Sequence, residues 1–257
     1  MTMLNKIVEM RRPVTIGVPA RPALTHCDEC AARHVGLCEV LSDEELAGLS
    51  RIAQHIALPI GAVFIEEAEP ATHVYNVNSG FVRLFKSLPD GRRQIIGFAG
   101  PGHFLGLAAG NMNIISAEAM EPVKLCRFTR TAMAQIFAEL PQLERKLLDV
   151  TMHELVLGQQ QMLLLGRKTA LERIATFLLS WAARESLCDE GKLPRPGARL
   201  PLPISRTDLA DHLGLTIETV SRSLSALKRD GLIDIPNMRE ITLLRPQALA
   251  GIADAMG

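Results

Sequence analysis

Residues 205–229 read SRTDLADHLGLTIETVSRSLSALKR and decide the fold of the C-terminal part of the chain. Gly214 predicts a tight turn between two short helices. We expect Ser205 or Thr207 to cap the first helix and Thr216 to cap the second, because their hydroxyls accept hydrogen bonds from free backbone N–H groups. The apolar positions that would bury the two helices are Leu209, Ala210, Leu213, Val220, Leu224 and Leu227. The stretch therefore predicts a helix–turn–helix.

The outer face of the second helix would carry Glu218, Ser221 and Arg222. Arginine can bind guanine N7 and O6 together, and glutamate can accept a hydrogen bond from cytosine N4. An ordinary surface ion pair between Glu218 and Arg222 is the simpler alternative. The whole assembly favours DNA binding, because residues 232–243 also predict a hairpin that would form a β-wing. The side chains expected to contact phosphates are Arg206, Thr207, Lys228, Arg229 and Arg239.

Upstream, between about Ile52 and Phe128, short β-type runs alternate with turn signals such as Pro89-Asp90-Gly91. The clearest runs are 63–65, 73–77, 81–85 and 94–98. Many short strands at close spacing are typical of a sandwich or a small barrel. We therefore expect a β-roll domain in this part of the chain.

A long helix is predicted from Leu140 to about Arg167. Its heptad seam, which steps by four, three, four and three residues, consists of Leu148, Met152, Leu155, Gln159 and Met162. A helix packed only on its own domain is one alternative, but the apolar residues at 156–157 and 163–165 exceed what one partner face needs. We expect this helix to pair with its copy in a homodimer. After a further helix, residues 189–203 hold four prolines and two glycines and predict a loop.

Composition excludes several classes of protein. The chain has 257 residues, 28 Lys and Arg against 28 Asp and Glu, and 47% hydrophobic residues, so it is not mainly disordered. A bilayer-spanning helix needs roughly 18 consecutive apolar residues, and we expect no membrane association. Zero net charge argues against a protein that coats nucleic acid. The N-terminus lacks the apolar core of a signal peptide, which predicts a cytoplasmic protein whose cysteines are not in disulfides.

Three N-terminal cysteines, Cys27, Cys30 and Cys38, have the spacing C-x2-C-x7-C, and Cys126 lies far away at the end of the β-rich region. Four thiolates would suit either a tetrahedral zinc ion or a [4Fe–4S] cluster, and the residues alone support the two almost equally. His26 and His34 offer nitrogen ligands for zinc. The alternative for Cys126 is a small buried hydrophobic residue, which is a common role of a free cysteine.

The order of a β-roll, a long helix and a winged helix–turn–helix resembles the CRP/FNR superfamily of bacterial transcription regulators over about residues 25–250. The pattern Glu218-x-x-Ser221-Arg222 is similar to the FNR branch. This resemblance implies that these three side chains read TTGAT-type half-sites and that a homodimer binds palindromic double-stranded DNA.

The cysteine spacing resembles the FnrN/FnrL-like members of that branch. The resemblance implies that Cys27, Cys30, Cys38 and Cys126 hold an oxygen-labile [4Fe–4S] cluster, which favours the DNA-binding homodimer when oxygen is low. Cys188 has no counterpart. A regulator of the same fold that is switched by zinc or by thiol redox chemistry stays open as the alternative.

Two further expectations follow from the resemblance. The cyclic-nucleotide branch holds ribose with a glutamate and phosphate with an arginine, but the corresponding positions are Leu107 and Ile115, so no cyclic nucleotide is expected. Family activators touch RNA polymerase, and the hairpin at Pro89, Asp90 and Gly91 is the candidate contact. No phosphate-binding glycine loop or nucleophile–base pair supports an enzyme.

These features predict an α+β chain in four parts. Residues 1–26 form a flexible N-terminal lead-in, and 27–139 form the cysteine-bearing segment and the cyclic-nucleotide-binding-like β-roll, which is the sensory domain. Residues 140–168 form the dimerisation helix, and 169–257 form the winged helix–turn–helix that binds DNA.

Overall fold

The computed structural model describes residue 27 and residues 30–108, 110–184 and 192–254. The predicted lead-in at 1–26, His26 and Cys188 lie outside the described residues. The helices are α1 (Asp43–Ile52), α2 (Arg130–Glu139), α3 (Pro141–Arg167), α4 (Ala170–Arg184), α5 (Arg206–Leu213), α6 (Ile217–Arg229) and α7 (Pro246–Asp254), and two 3₁₀ helices, Ala31–His34 and Gly36–Val40, precede them. The mixed helix and sheet class is as predicted, and the exact division into four parts stays a prediction.

The β-roll consists of two four-stranded antiparallel sheets in the orders β1-β8-β3-β6 and β2-β7-β4-β5. The strands are β1 (Gln54–Leu58), β2 (Val63–Ile65), β3 (His73–Ser79), β4 (Val82–Ser87), β5 (Arg93–Ala99), β6 (Phe104–Leu105), β7 (Ser116–Ala119) and β8 (Val123–Thr129). Side chains alternate between the faces of a strand. Val77 and Leu125 therefore point into the core between the sheets, where both are fully buried.

The other face of the β3–β8 sheet is covered by the N-terminal segment. Val74 and Phe128 of this face pack with Leu37 and Leu46 of the segment in a second buried core. Helix α1 begins with a capping box, in which the Ser42 side chain accepts from the Glu45 N–H and the Glu45 carboxylate accepts from the Ser42 N–H. The cysteine-bearing segment is thus packed onto the outside of the β-roll.

Helix α3 has 27 residues and is about 40 Å long at 1.5 Å per residue. Pro141 occupies its first turn, where the missing N–H costs nothing. Its buried residues, Leu143 and Leu164, lie near its two ends. No described helix is both long enough and apolar enough to cross a membrane.

The C-terminal part contains α4 to α7 and a three-stranded sheet in the order β10-β11-β9. Its strands are β9 (Ala198–Pro201), β10 (Ile233–Asn237) and β11 (Glu240–Leu243). The prediction of a loop over 189–203 is wrong for residues 198–201. The prolines suggested a loop, but β9 pairs with β11 at the edge of the sheet and buries Leu200 completely.

The core of the C-terminal part continues into the β-roll. Ile95 and Phe98 of β5 belong to the same buried cluster as Phe177 and Trp181 of α4 and Leu213 of α5. The aromatic rings of Phe98 and Trp181 meet edge to face at 5.8 Å between centroids. The two parts of the chain therefore share one hydrophobic core.

Candidate functional site

Helix α6 is positioned by its two neighbouring turns. Gly214 ends α5 in the left-handed conformation, with φ at 61°, which glycine adopts without steric cost. Thr216 caps α6, because its hydroxyl accepts a hydrogen bond from the Thr219 N–H at 3.2 Å. Ser205, and not Thr207, caps α5 by accepting from the Asp208 N–H at 3.0 Å. Val220, Leu224 and Leu227 are buried as predicted, so the opposite face of α6 points outward.

The predicted base-reading side chains, Glu218, Ser221 and Arg222, are all exposed on this outer face. Hydrogen bonding from the backbone of Glu218 and from the Thr216 hydroxyl lowers the pKa of the Glu218 carboxyl, and attraction to Arg222 adds a smaller contribution. At neutral pH the carboxylate is ionised and can only accept hydrogen bonds. The face therefore presents the Glu218 carboxylate, which accepts hydrogen bonds, beside the Arg222 guanidinium, which donates them. This pair suits the cytosine and guanine edges of C·G base pairs.

The candidate phosphate contacts surround this face. Lys228 lies 3.0 Å from Asp234, and Arg229 lies 3.3 Å from Asp230, in exposed ion pairs that are worth little and that a phosphate can replace. Arg206 is half-buried, and burial lowers its pKa. Thr207 and Arg239 are exposed. Met238, at the tip of the wing, is 82% exposed and was not singled out from the sequence.

A network of ion pairs attaches the first helix of the helix–turn–helix to the β-roll. Asp208 Oδ1 lies 2.8 Å from Arg83 Nη1 and 2.9 Å from Arg93 Nη2, which extend from β4 and β5. Arg93 Nε also lies 3.0 Å from Asp211 Oδ2. Arg83 donates a further hydrogen bond to Glu118 of β7 at 3.0 Å. The β-roll thus fixes the orientation of α5, and through the turn at Gly214 that of α6.

His212 reinforces this contact between the two parts. Its Nδ1 lies 3.1 Å from the Ile95 carbonyl oxygen, and its ring packs edge to face on Phe98 and Phe177. Burial lowers the pKa of His212 to about 4, so the ring is neutral at pH 7. Its backbone carbonyl accepts from Gln94 of the β-roll and from Gln161 of α3. Nothing in the local sequence indicated these contacts, which join residues more than 50 positions apart.

The predicted dimer seam is exposed along the middle of α3. Met152 and Leu155 are 59% and 60% exposed, and Met162 is 67% exposed. Leu148 is exposed to the same degree, and Gln159 is exposed beside them. A continuous apolar stripe of this length on an isolated chain marks an interaction surface.

The four predicted metal-ligating cysteines come together on the outer face of the β3–β8 sheet. Cys126 of β8 is paired in register with His55 of β1 and Asn76 of β3. Cys27, Cys38 and Cys126 line one small apolar cavity. The Cys30 N–H donates to the Cys27 carbonyl at 3.3 Å, so these two residues share one tight turn.

Cys38 is placed by the segment around it. Arg33 donates to the Cys38 carbonyl at 3.1 Å and to the Asp43 carboxylate at 3.1 Å. Gly36 approaches the β-roll so closely that a β-carbon there would collide with the carbonyl of Gly102. The segment is therefore seated tightly against the β-roll, with the Cys38 sulfur directed at the sheet.

The charges of the four cysteines influence one another. Burial raises the pKa of Cys38 to about 12, and repulsion from Cys126, Cys30 and Cys27 adds to the effect. Burial likewise raises the pKa of Cys126 to about 11, a hydrogen bond from Asn78 opposes it, and repulsion from Cys30 and Cys27 adds to it. Burial also raises the pKa of Cys30, with repulsion from Cys27 as a smaller cause. Repulsion among these thiols thus adds to the effect of burial, and a bound cation would relieve it.

The donor set fits a metal centre with sulfur ligands. Besides the four sulfurs, it offers N–H groups directed at sulfur, because Asn78 Nδ2 lies 3.1 Å from Cys126 Sγ. No group of three or more His, Cys, Asp and Glu side chains within the described ranges already stands at ligand spacing. The sulfurs would therefore have to draw together around a bound ion or cluster, and their role as ligands stays a prediction.

The remaining predicted site residues lie on the surface of the β-roll. Pro89, Asp90 and Gly91 form an exposed turn, in which Asp90 pairs with Arg92 at 2.7 Å. Leu107 is 47% exposed and Ile115 is partly buried, so both positions offer only apolar side chains.

Comparison with known proteins extends this description. Residues 172–252 match the Crp-like helix-turn-helix domain, and residues 55–139 match the cyclic nucleotide-binding domain. The chain is 40% identical over 229 residues to the nitrogen fixation regulation protein FixK of Bradyrhizobium diazoefficiens, a match that covers 89% of this chain and 94% of that protein. It is 35% identical over 221 residues to the transcriptional activator protein FnrL of Cereibacter sphaeroides, with 86% and 89% covered.

Among solved structures, FixK2 from Bradyrhizobium japonicum is similar to this chain, with a TM-score of 0.71 and 39% sequence identity. That match covers 80% of this chain and 100% of that one. The arrangement of the elements is thus shared with that solved structure.

Proposed function

We propose, since this chain belongs to the CRP/FNR family of transcription regulators, that it activates transcription in response to low oxygen through a [4Fe–4S] cluster held by Cys27, Cys30, Cys38 and Cys126. Membership of this family confirms the resemblance. It also confirms the prediction that the chain is a DNA-binding, dimeric transcription activator and not an enzyme. The oxygen response, the cluster and the operator sequence are the proposal.

One observation carries the proposal, namely that Cys126 of the β-roll lines the same cavity as Cys27 and Cys38 of the N-terminal segment. Cys126 is separated from Cys38 by 88 positions, yet both side chains line the same small apolar cavity. Sulfur-only ligands favour iron–sulfur clusters or zinc over hard cations. The similarity to FnrL, named as a transcriptional activator protein, supports the regulatory role of such a site.

The cysteines would act by holding the N-terminal segment on the β-roll. A bound [4Fe–4S] cluster would supply an oxygen-labile cross-link between that segment and Cys126. Helix α3 begins beneath the same segment, because Leu143 packs with Leu37 and Leu46 and Lys146 pairs with Glu39 at 2.8 Å. Loss of the cross-link would therefore loosen the support of α3, and a change of a few kcal/mol is enough to shift a two-state equilibrium.

The dimer would place two copies of α6 on a palindrome. Half-sites of a palindrome lie about one turn of DNA apart, and pairing of two α3 stripes would have to place the recognition helices at that spacing. Glu218, Ser221 and Arg222 would read the bases of each TTGAT-type half-site, and the surrounding basic side chains would contact phosphates. The turn at Pro89, Asp90 and Gly91 would be available to touch RNA polymerase. The apolar residues Leu107 and Ile115 give no partner to ribose or phosphate, so cyclic nucleotide is not the proposed effector.

The alternative is a regulator of the same fold switched by zinc or by thiol redox chemistry. It is favoured by His55, whose Nδ1 lies 3.5 Å from Cys126 Sγ and could serve as a nitrogen ligand. Metal analysis of anaerobically purified protein distinguishes the two functions. We expect about four iron and four sulfide per chain, as a [4Fe–4S] cluster requires.

Cys126→Ala should remove the iron and sulfide, because it deletes the ligand that the β-roll contributes. Cys188→Ala is the matched control and should keep both at the level of the unsubstituted protein. Stoichiometric zinc without sulfide would establish the alternative. Full iron retention in Cys126→Ala would show that Cys126 is not a ligand.

Arg222→Ala should reduce discrimination between an operator and unrelated DNA, because a bidentate arginine–guanine contact is worth about 1–3 kcal/mol per half-site. Non-specific binding should remain and should weaken steeply with salt, since phosphate contacts supply it. Fluorescence anisotropy with operator and scrambled duplexes measures both affinities. Arg199→Ala, an exposed arginine on β9, is the control and should keep the selectivity. Unchanged selectivity in Arg222→Ala would contradict the role given to this side chain.

A further inference from the structure

Two asparagines of β3, Asn76 and Asn78, face the cysteine sulfurs. Asn78 Nδ2 donates to Cys126 Sγ at 3.1 Å, and Asn76 Nδ2 lies 3.8 Å from Cys38 Sγ. Although the pairing of β3 with β8 is irregular between Val77 and Ser79, both amides contact sulfurs on the face that the N-terminal segment covers. The pair therefore contacts one sulfur from the β-roll and one from the segment.

The two amides have the same orientation relative to the sulfurs. A side-chain amide can approach sulfur either with its NH₂ group, which donates, or with its oxygen, which accepts. A neutral thiol is both a weak donor and a weak acceptor, whereas a thiolate is only an acceptor and a stronger one. Both amides present NH₂ to sulfur, and both Oδ1 atoms are buried without a hydrogen-bond partner among the residues described. This orientation satisfies a thiolate and leaves a buried oxygen unsatisfied, which proteins usually avoid.

Nothing else in the described structure explains a polar pair at this place. Asn76 is 4% exposed, and the same face carries Val74 and Phe128, which pack into an apolar core. Apolar side chains at 76 and 78 would continue that core and would avoid the two unsatisfied oxygens. The presence of two asparagines here is explained if their N–H groups donate hydrogen bonds to sulfur atoms that carry negative charge.

We propose that Asn76 and Asn78 are positioning residues of the metal site, and that their N–H groups donate hydrogen bonds to the ligand sulfurs of Cys38 and Cys126. This inference rests on the proposed function to the extent that Cys38 and Cys126 are ligands, whichever metal they hold. The Asn78 contact is the shorter one, so Asn78 contributes more to metal affinity. The same N–H groups make the reduction potential of a bound cluster less negative, because hydrogen bonds to sulfur favour the more negatively charged state.

Cobalt(II) titration tests the proposal without depending on the resident metal. Thiolate ligands give cobalt a charge-transfer band whose energy reports the electron density on sulfur. Asn78→Leu keeps a similar volume and removes the donor, and we expect cobalt to bind about 10- to 100-fold more weakly. The charge-transfer band should move to lower energy, because the sulfur becomes a better electron donor. A purely structural role of Asn78 would not move that band.

The controls separate loss of the donor from loss of folding. Asn113→Leu is matched, because Asn113 also donates through its amide, to the Glu66 carbonyl at 3.2 Å, but not to sulfur. It should leave cobalt affinity and the band unchanged. Asn78→Asp keeps the shape while replacing the donor by an acceptor, so it should weaken cobalt binding at least as much. Asn78→Gln retains an amide N–H and should restore part of the affinity.

Two negative results have different meanings. If the unsubstituted chain gives no thiolate–cobalt band, the proposed metal site fails and this inference fails with it. If the unsubstituted chain gives the band while Asn78→Leu and Asn78→Asp match it in affinity and energy, only the role of the amides is overturned. In reconstituted iron–sulfur protein, Asn78→Leu should show a more negative reduction potential, and an equal potential would also overturn that role.

Discussion

Leu155→Glu is expected to convert the dimer into a monomer and to weaken operator binding by about 10²- to 10⁴-fold. Leu155 lies at the centre of the exposed stripe of α3 and is 60% exposed in a single chain. In the dimer its symmetry mate would lie close by, so the substitution would bury two like charges in an apolar seam. Two linked recognition helices gain affinity through their high effective concentration, and a monomer loses that gain.

Analytical ultracentrifugation and anisotropy with a palindromic duplex measure the two effects. Gln160→Glu is the matched control, because it adds the same charge to an exposed position about 140° round the helix from Leu155. The control should stay dimeric and bind the operator normally. The binding of a single half-site should be equal in all three proteins. A Leu155→Glu protein that sediments as a dimer would exclude the α3 stripe as the interface.

Asp208→Ala is expected to lower the free energy of unfolding by about 1.5–3 kcal/mol, because it removes buried hydrogen bonds between charged groups while both arginines keep another carboxylate partner. The Asp208 side chain is 5% exposed and contacts both Arg83 and Arg93. It also accepts a hydrogen bond from the Ser205 hydroxyl at 2.6 Å. Removal of the carboxylate leaves Arg83 paired with Glu118, and leaves Arg93 paired with Asp211 and, at 4.0 Å, with Glu118.

Asp211→Ala is the matched control on the same helix. Asp211 pairs with Arg93 at 3.0 Å, but its side chain is 27% exposed, so its loss should cost about 1 kcal/mol or less. Urea denaturation followed by circular dichroism gives both values. If Asp208→Ala is no more destabilising than Asp211→Ala, the network contributes little to the attachment of α5 on the β-roll. Operator affinity should fall with Asp208→Ala even where the protein remains folded, since α6 loses its fixed orientation.

Much of the fold could be predicted because its signals are local. Gly214 and Thr216 define the turn and the cap of the recognition helix within three positions of each other. The seam of α3 is likewise a short-range repeat. Strand β9 escaped prediction because prolines normally end regular structure, whereas an edge strand tolerates them when the partner strand supplies the pairing.

The contacts that join the parts of the chain could not be predicted from one sequence. Arg83 and Asp208 are 125 positions apart, and each alone is an unremarkable surface-type residue. The asparagines of β3 were also missed, because an Asn in a strand pattern does not show whether it faces water or sulfur. The spacing of the N-terminal cysteines is a local signal, and it predicts a metal site. Their proximity to Cys126 depends on the register of β8, which the sequence does not show.

The shared core between β5 and the helix–turn–helix has a consequence for modularity. Ile95 and Phe98 are nearly fully buried under α4 and α5, so each part supplies surface that the other requires. The β-roll and the helix–turn–helix part are therefore not independent, exchangeable domains. A chimaera that joins this helix–turn–helix to another β-roll would also need the apolar residues of the shared core and the two arginines, Arg83 and Arg93. Substitutions on one side of this core therefore constrain the residues on the other side.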